Sequence, residues 1–154
     1  MTGWVVTAGE SEGSALVHEY NVDVIRRYFG RRDVAADVER YEREEMDHDV
    51  PVFLVVSRDG EDAGCLGMRF LADGAGELTR MFVRERFRGQ GAASVLIAAM
   101  EEEAVRRGIT TIRLDTRADL VEARALYAKH GYVEVKRYNE AVYSDHWFEK
   151  ELAG

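Results

Sequence analysis

At 154 residues, with 46% apolar residues and a formal net charge of −8, the chain matches one ordinary globular domain that can bury a core without staples. The acidic balance speaks against non-specific nucleic-acid binding and anionic membranes, and favours cationic partners such as amines. No apolar run approaches the ~18 residues of a membrane span, no basic segment leads an apolar one at the N-terminus, and the lone Cys65 cannot form an internal disulfide, so a cytoplasmic protein is the expectation.

Residues 4–7 form a short apolar run and a first strand. Ser11 and Ser14 are candidate starts for a helix whose Leu16, Val17, Tyr20, Val24, Ile25, Tyr28 and Phe29 recur at helical spacing until Gly30. Asp33 is placed to cap a second helix, through Val38 and Tyr41, that ends near Met46; the acidic residues 42–49 read as a solvated face and turn. Pro51 precedes a strand at 52–56, Arg58-Asp59-Gly60-Glu61 supplies hairpin turn chemistry, and strands at 63–71 and 77–83 complete an antiparallel meander. Cys65, between Gly64 and Leu66, reads as a buried strand residue rather than a nucleophile.

The stretch 77–107 organises the rest. An apolar, β-prone run (Leu78, Met81, Phe82, Val83) passes through an arginine-rich loop into Gly89 and Gly91. A long amphipathic segment follows, with Val95, Leu96, Ala99, Met100 and Val105 at helical spacing. Strand, loop and helix in that order leave unpaired N–H groups at a helix N-terminus, where the dipole also favours an anion. The guest this predicts is a phosphate or pyrophosphate, with Arg84, Arg86 and Arg88 as local positive charge.

Arg106, Arg107 and Gly108 end that helix. Residues 111–116 alternate as a strand does, a helix carries Ala123, Leu126 and Tyr127 on one stripe up to Gly131, and residues 132–135 and 146–152 are the last strands. A strand reached only through a helix predicts parallel neighbours, strands four and five, in a mixed α/β sheet with ligands where strands end and helices begin.

Two glycine-loop classes fail here. A nucleoside-triphosphate loop needs Lys followed by Ser or Thr, and Gly91 is followed by Ala92 and Ala93. A dinucleotide fold places its glycines after the first strand, whereas these follow a meander. The pattern Arg88-x-x-Gly91-x-Ala93 after Met81-Phe82-Val83, with EARALYAKHGY (residues 122–132) downstream, resembles the GCN5-related N-acetyltransferase (GNAT) family over residues 77–133.

The resemblance implies a single N-acetyltransferase domain over 1–154. Its fold is a mixed, mostly antiparallel sheet splayed between strands 4 and 5 and flanked by about four helices. It also implies acetyl-CoA as co-substrate, its pantetheine arm pairing with the free backbone of Met81, Phe82 and Val83. The pyrophosphate would lie on the N–H groups of Gly89, Gln90, Gly91, Ala92, Ala93 and Ser94, with Arg88 at the family's Arg/Gln position and Arg84 or Arg86 available to the ribose phosphate. Tyr127 matches the tyrosine that protonates the departing thiolate. Glu77 lies where some members carry a catalytic glutamate acting directly or through water; Asp115 and His146 are rivals for the base. Leu120 stands where many members have an asparagine that contacts the coenzyme, which leaves that contact without its usual donor.

The family's acceptor side nominates Tyr20, Arg27, Tyr28, Tyr138, Asn139, Tyr143 and His146, although helical spacing favours core positions for Tyr20 and Tyr28. His18, His48 and His130 show no ligand spacing, so no metal is expected. The function implied is direct transfer of acetyl to a primary amine of a small molecule or protein. The alternatives are a non-catalytic acyl-CoA-binding sensor or partner module and a transferase of another acyl group; a homodimer is implied by kinship alone.

Overall fold

The computed structural model describes residues 3–152. Seven strands, β1 (Val5–Ala8), β2 (Val52–Arg58), β3 (Glu61–Phe70), β4 (Gly76–Val83), β5 (Thr111–Thr116), β6 (Val133–Val135) and β7 (His146–Glu151), form one sheet in the order β1-β2-β3-β4-β5-β7-β6. Four helices flank it: α1 (Ala15–Phe29), α2 (Ala35–Arg40), α3 (Ala92–Arg106) and α4 (Val121–Lys129). All neighbours pair antiparallel except β4 and β5, whose crossover runs through α3 and leaves them parallel.

Alternation along β2 decides what each face meets. Val52, Leu54 and Val56 face the larger core, built on α3 by Leu96, Ile97 and Met100, while Phe53 and Val55 face a smaller cluster with Leu16 and Val17 of α1. Leu96, Ile97 and Met100 are fully buried, each worth about 1.5–3 kcal/mol of apolar transfer. The β2–β3 turn places Asp59 and Gly60 at φ 52 and 79, the doubly positive pair that a two-residue hairpin needs.

In β4 the alternation slips by one. Leu78 faces the α3 core, but so do Met81 and Val83, while Phe82 joins the α1 cluster. The slip is a bulge at Arg80, which adopts φ 60; β3 opposes Gly67 to Thr79 but Cys65 to Phe82. The Arg80 side chain is buried, its Nη1 donating to Ser11 Oγ at 2.7 Å and its Nη2 to the Asp47 carbonyl. Gly64 accommodates the bulge, since a Cβ there would lie 2.4 Å from the Phe82 carbonyl oxygen.

Local signals fixed most ends, with one choice between candidates decided and one correction. Ser14, not Ser11, caps α1, its hydroxyl accepting from the Val17 N–H at 3.3 Å. Asp33 does not cap α2: Val34 holds that position without a side-chain bond, because its own burial anchors the turn, and the helix runs on as a π-helical turn, Tyr41–Glu45, up to Met46. No helix among the described residues is long and apolar enough to cross a membrane.

Candidate active site

Strands β4 and β5 pair only through Gly76 with Ile112 and Glu77 with Arg113. Past Glu77 they part, and the edge of β4 facing the gap has no β5 partner up to Val83. A sheet edge opened inside a fold offers N–H and C=O groups to an amide-bearing ligand. At the mouth of this gap lies a cavity of about 540 Å³, a size suited to a small-molecule site. Its walls include Met81, Phe82 and Val83 of β4, the loop and first turn of α3, Ala123 and Leu126 of α4, and Tyr20 and Arg27 of α1.

The loop is shaped for close approach. Gly89 and Gly91 have φ 75 and 90, and a Cβ on either would meet nothing within 4 Å, so both present bare backbone to open space. Gly91 is the N-cap of α3 and supplies no side-chain acceptor, which leaves the first N–H groups of the helix to a ligand. Arg88 lines the same space, held by Nε donation to the Val83 carbonyl at 2.8 Å, and Lys129 faces it from α4. Behind the loop the Trp4 indole N–H donates to the Gln90 carbonyl at 3.1 Å. Arg58 donates to Gln90 Oε1 at 2.7 Å and stacks over the Trp4 ring at 3.6 Å. Gln90 therefore points away from the cavity, and fixes the loop from its far side.

Besides Arg80, Tyr127 and Glu77 are titratable residues buried near the splay. Tyr127 is 5% exposed on α4, with its ring edge-on to Tyr132 at 5.8 Å. Burial, with smaller contributions from Tyr20 and Asp115, pushes its phenol well above the usual range, so it holds its proton at any physiological pH. Tyr127 is not itself a wall of the cavity; its neighbours Ala123 and Leu126 are. Glu77, 6% exposed, accepts from the Tyr138 hydroxyl at 2.6 Å and Asn139 Nδ2 at 3.2 Å, and lies 3.0 Å from Arg69 Nε. Burial and that bond to Glu77 push the Tyr138 phenol up in turn.

A strand with an opened edge, a glycine-lipped helix start and a downstream buried tyrosine is a recognisable set. The family model described as the acetyltransferase (GNAT) family matches residues 17–132. The chain belongs to the GNAT family. An IAA acetyltransferase of Azospirillum brasilense is 34% identical over 83 residues, 53% of this chain and 54% of that protein, so the chain spans about half the length of the curated relative it matches. A GNAT acetyltransferase of Staphylococcus aureus Mu50 superimposes with a TM-score of 0.77 at 16% identity, over 97% of this chain and 99% of that one. The PaiA N-acetyltransferase of Thermoplasma acidophilum, solved with coenzyme A, gives a TM-score of 0.66 at 15% identity, over 97% and 99%. At such identities the structural likenesses establish the GNAT fold.

Within that GNAT frame, nine of the ten expected coenzyme residues line one cavity: Met81, Phe82, Val83, Arg88, Gly89, Gly91, Ala92, Ala93 and Ser94, with Gln90 turned outward. Arg84 and Arg86 do not face it. Arg84 forks onto Glu19 of α1 at 2.9 and 2.7 Å and Arg86 pairs with Glu61 of β3 at 2.7 Å, so acidic partners engage both guanidinium groups. Leu120 lines the cavity as the N-cap residue of α4 and makes no side-chain cap bond, as a hydrocarbon must. His146 pairs with Glu134 at 2.7 Å across β6 and β7, apart from Glu77, whereas Asp115 shares Asn139 with it. Tyr20 packs edge-on to Phe82 at 6.3 Å and lines the cavity, its phenol pushed up to about 12 chiefly by burial. Tyr28 is not core: it is half exposed and meets Tyr143 of the β6–β7 connection at 5.2 Å. Sequence reasoning missed Trp4 and Arg58 behind the loop, and Arg69 and Arg80 beside Glu77 and the bulge. No local pattern ties these side chains to the site: Trp4 and Arg58 act on Gln90, and Arg80 on Ser11, across 32 to 86 positions, while Arg69 reaches Glu77 through the β3–β4 pairing.

Proposed function

We propose that this GNAT chain is an acetyl-CoA-dependent N-acetyltransferase that moves acetyl directly to a primary amine of a small molecule or protein. The observation that carries the reading is that one cavity is walled at once by the unpaired edge of β4 and by the glycine loop at the start of α3. Pantetheine amides suit the first and a pyrophosphate suits the second. The relative solved with coenzyme A and the acetyltransferase names of the other relatives support the same donor. The bare backbone at Gly89 and Gly91 fits the close approach that a pyrophosphate needs.

In the mechanism this supports, Glu77, directly or through a water, takes a proton from the ammonium so that the neutral amine attacks the thioester carbonyl. A backbone N–H of β4 near Met81 or Phe82 polarises that carbonyl and stabilises the oxyanion. As the intermediate collapses, the C–S bond breaks, the Tyr127 phenol, which burial keeps protonated, gives its proton to the thiolate, and the proton shed by the acylated nitrogen returns to the phenolate directly or through water. The products are the amide and free coenzyme A. Aromatic rings and two carboxylates near the splay, Glu77 and Asp115, suit a cationic amine acceptor.

The test is a panel of amines with acetyl-, propionyl- and succinyl-CoA, read as thiol release. Turnover with acetyl-CoA and at least one amine is expected. Tyr127→Phe should slow it about 10²-fold or more while coenzyme affinity stays within twofold. Coenzyme bound tightly but no turnover on a broad panel would overturn the catalytic reading in favour of an acyl-CoA-binding module.

A further inference from the structure

Where the β4 and β5 backbones part, one side chain joins them again. Asn139, in the connection between β6 and β7, places Nδ2 3.2 Å from Glu77 Oε2 on β4 and 2.8 Å from Asp115 Oδ2 on β5. The direction of its amide follows from chemistry. The Trp147 indole N–H can only donate, and it lies 2.8 Å from Asn139 Oδ1, as does the Ala141 N–H at 3.2 Å. The oxygen must face these donors, so the NH₂ group faces the two carboxylates. The bridge stands in the region where β4–β5 pairing stops, Glu77 being its last paired residue and Asp115 two residues past its partner.

We propose that Asn139 is a positioning residue that ties Glu77 and Asp115 into one bridged carboxylate pair across the splay and so fixes Glu77 for proton removal from the acceptor. The inference rests, for its catalytic consequence, on the transferase reading above. Two carboxylates that share a site repel, and a common donor between them offsets that repulsion. Other charged and titratable groups surround the pair. Arg69 of β3 meets Glu77, and the connection supplies Tyr138 to Glu77 and Ser144 to Asp115. Tyr20 of α1 and Tyr127 of α4 lie close enough to feel the Asp115 charge, and Arg113 of β5 lies over the Tyr138 ring. Among these, Asn139 alone donates to both carboxylates.

The experiment titrates the side-chain carboxyls by carbon-13 NMR in protein labelled at Asp and Glu, without any substrate. Relative to wild type, Asn139→Leu should move the midpoints of both Glu77 and Asp115 upward by at least about half a pH unit, because a donor to the charged form is lost. Asn139→Asp, which keeps the bond from Trp147 and the side-chain shape, should move both further, since it adds a third carboxylate. Glu149, which pairs with Arg113 instead, is the internal control. With an accepted amine, kcat should fall at least tenfold in Asn139→Asp while KM for acetyl-CoA is unchanged. Midpoints that stay put in both variants, or that move at only one carboxylate, overturn the bridge; an unchanged kcat in an enzyme that turns over overturns the positioning role. A wild-type protein that accepts no amine refutes the transferase reading and leaves the NMR result to decide the bridge.

Discussion

Gly91→Ala separates what the α3 loop does for the fold from what it does for a ligand. Gly91 has φ 90, and a Cβ there would meet no atom within 4 Å, so the substitution creates no clash and costs only backbone strain. A left-handed conformation costs an L-residue about 1–2 kcal/mol, which in a domain of this length lowers Tm by roughly 2–8 °C. The new methyl, however, projects into space beside the first N–H groups of α3. A phosphate that uses those groups then loses close approach, and coenzyme affinity should fall at least about tenfold, or 1.4 kcal/mol. Gly108 provides the matched control: φ 78, equally open surroundings, and a place at the opposite end of α3, about 22 Å away along the axis. Thermal melts and calorimetric titration with coenzyme A should show similar Tm losses for Gly91→Ala and Gly108→Ala but weakened binding only in the first. Equal affinities in the two variants would refute the assignment of the loop as the anion site.

Three further outcomes follow from burial and close contact. Cys65 is fully buried and burial pushes its thiol up to about 12, so a disulfide reagent at pH 8 should leave the native protein unlabelled and find one thiol in denaturant; rapid native labelling would contradict the packing. Gly64→Ala puts a Cβ 2.4 Å from the Phe82 carbonyl, and should cost about 1–3 kcal/mol in chemical denaturation; a loss under half that would mean the bulge yields freely. His130, whose Nε2 lies 2.9 Å from Ser94 Oγ, is held below its ordinary value chiefly by burial. The unfolded chain then binds the proton first, so this contribution is full above about pH 6.5 and is lost as pH falls through the folded value. Denaturation between pH 7.5 and 5.5 should show a shallower loss in His130→Gln than in wild type, and identical slopes would rule out the linkage.

The elements of this fold were legible because their signals are local. Glycines stand where helices stop, as at Gly30 and Gly108, and Ile112 and Leu114 alternate on β5 as a half-buried strand requires. The glycine loop was equally legible, since its chemistry lies in consecutive residues. What remained hidden involves partners far apart in the chain. Nothing near Arg84 announces that Glu19, 65 positions away, will claim its guanidinium, and nothing near Arg80 announces a buried bulge. Glu77 could be placed at a strand start, but its burial against Tyr138, 61 positions on, comes from the path of the β6–β7 connection, which has no periodicity to read.

The contacts behind the glycine loop bear on how a ligand is captured. Trp4 and Arg58 hold Gln90 from the side away from the cavity, the first of them across 86 positions of sequence. The conformational entropy of that loop is thus surrendered when the chain folds, before any ligand arrives. A ligand meeting a preformed surface loses no affinity to ordering it. On the proposed reading, loosening Trp4 would transfer that entropic cost to the binding step, so a residue of the N-terminal segment would tune affinity from behind the loop.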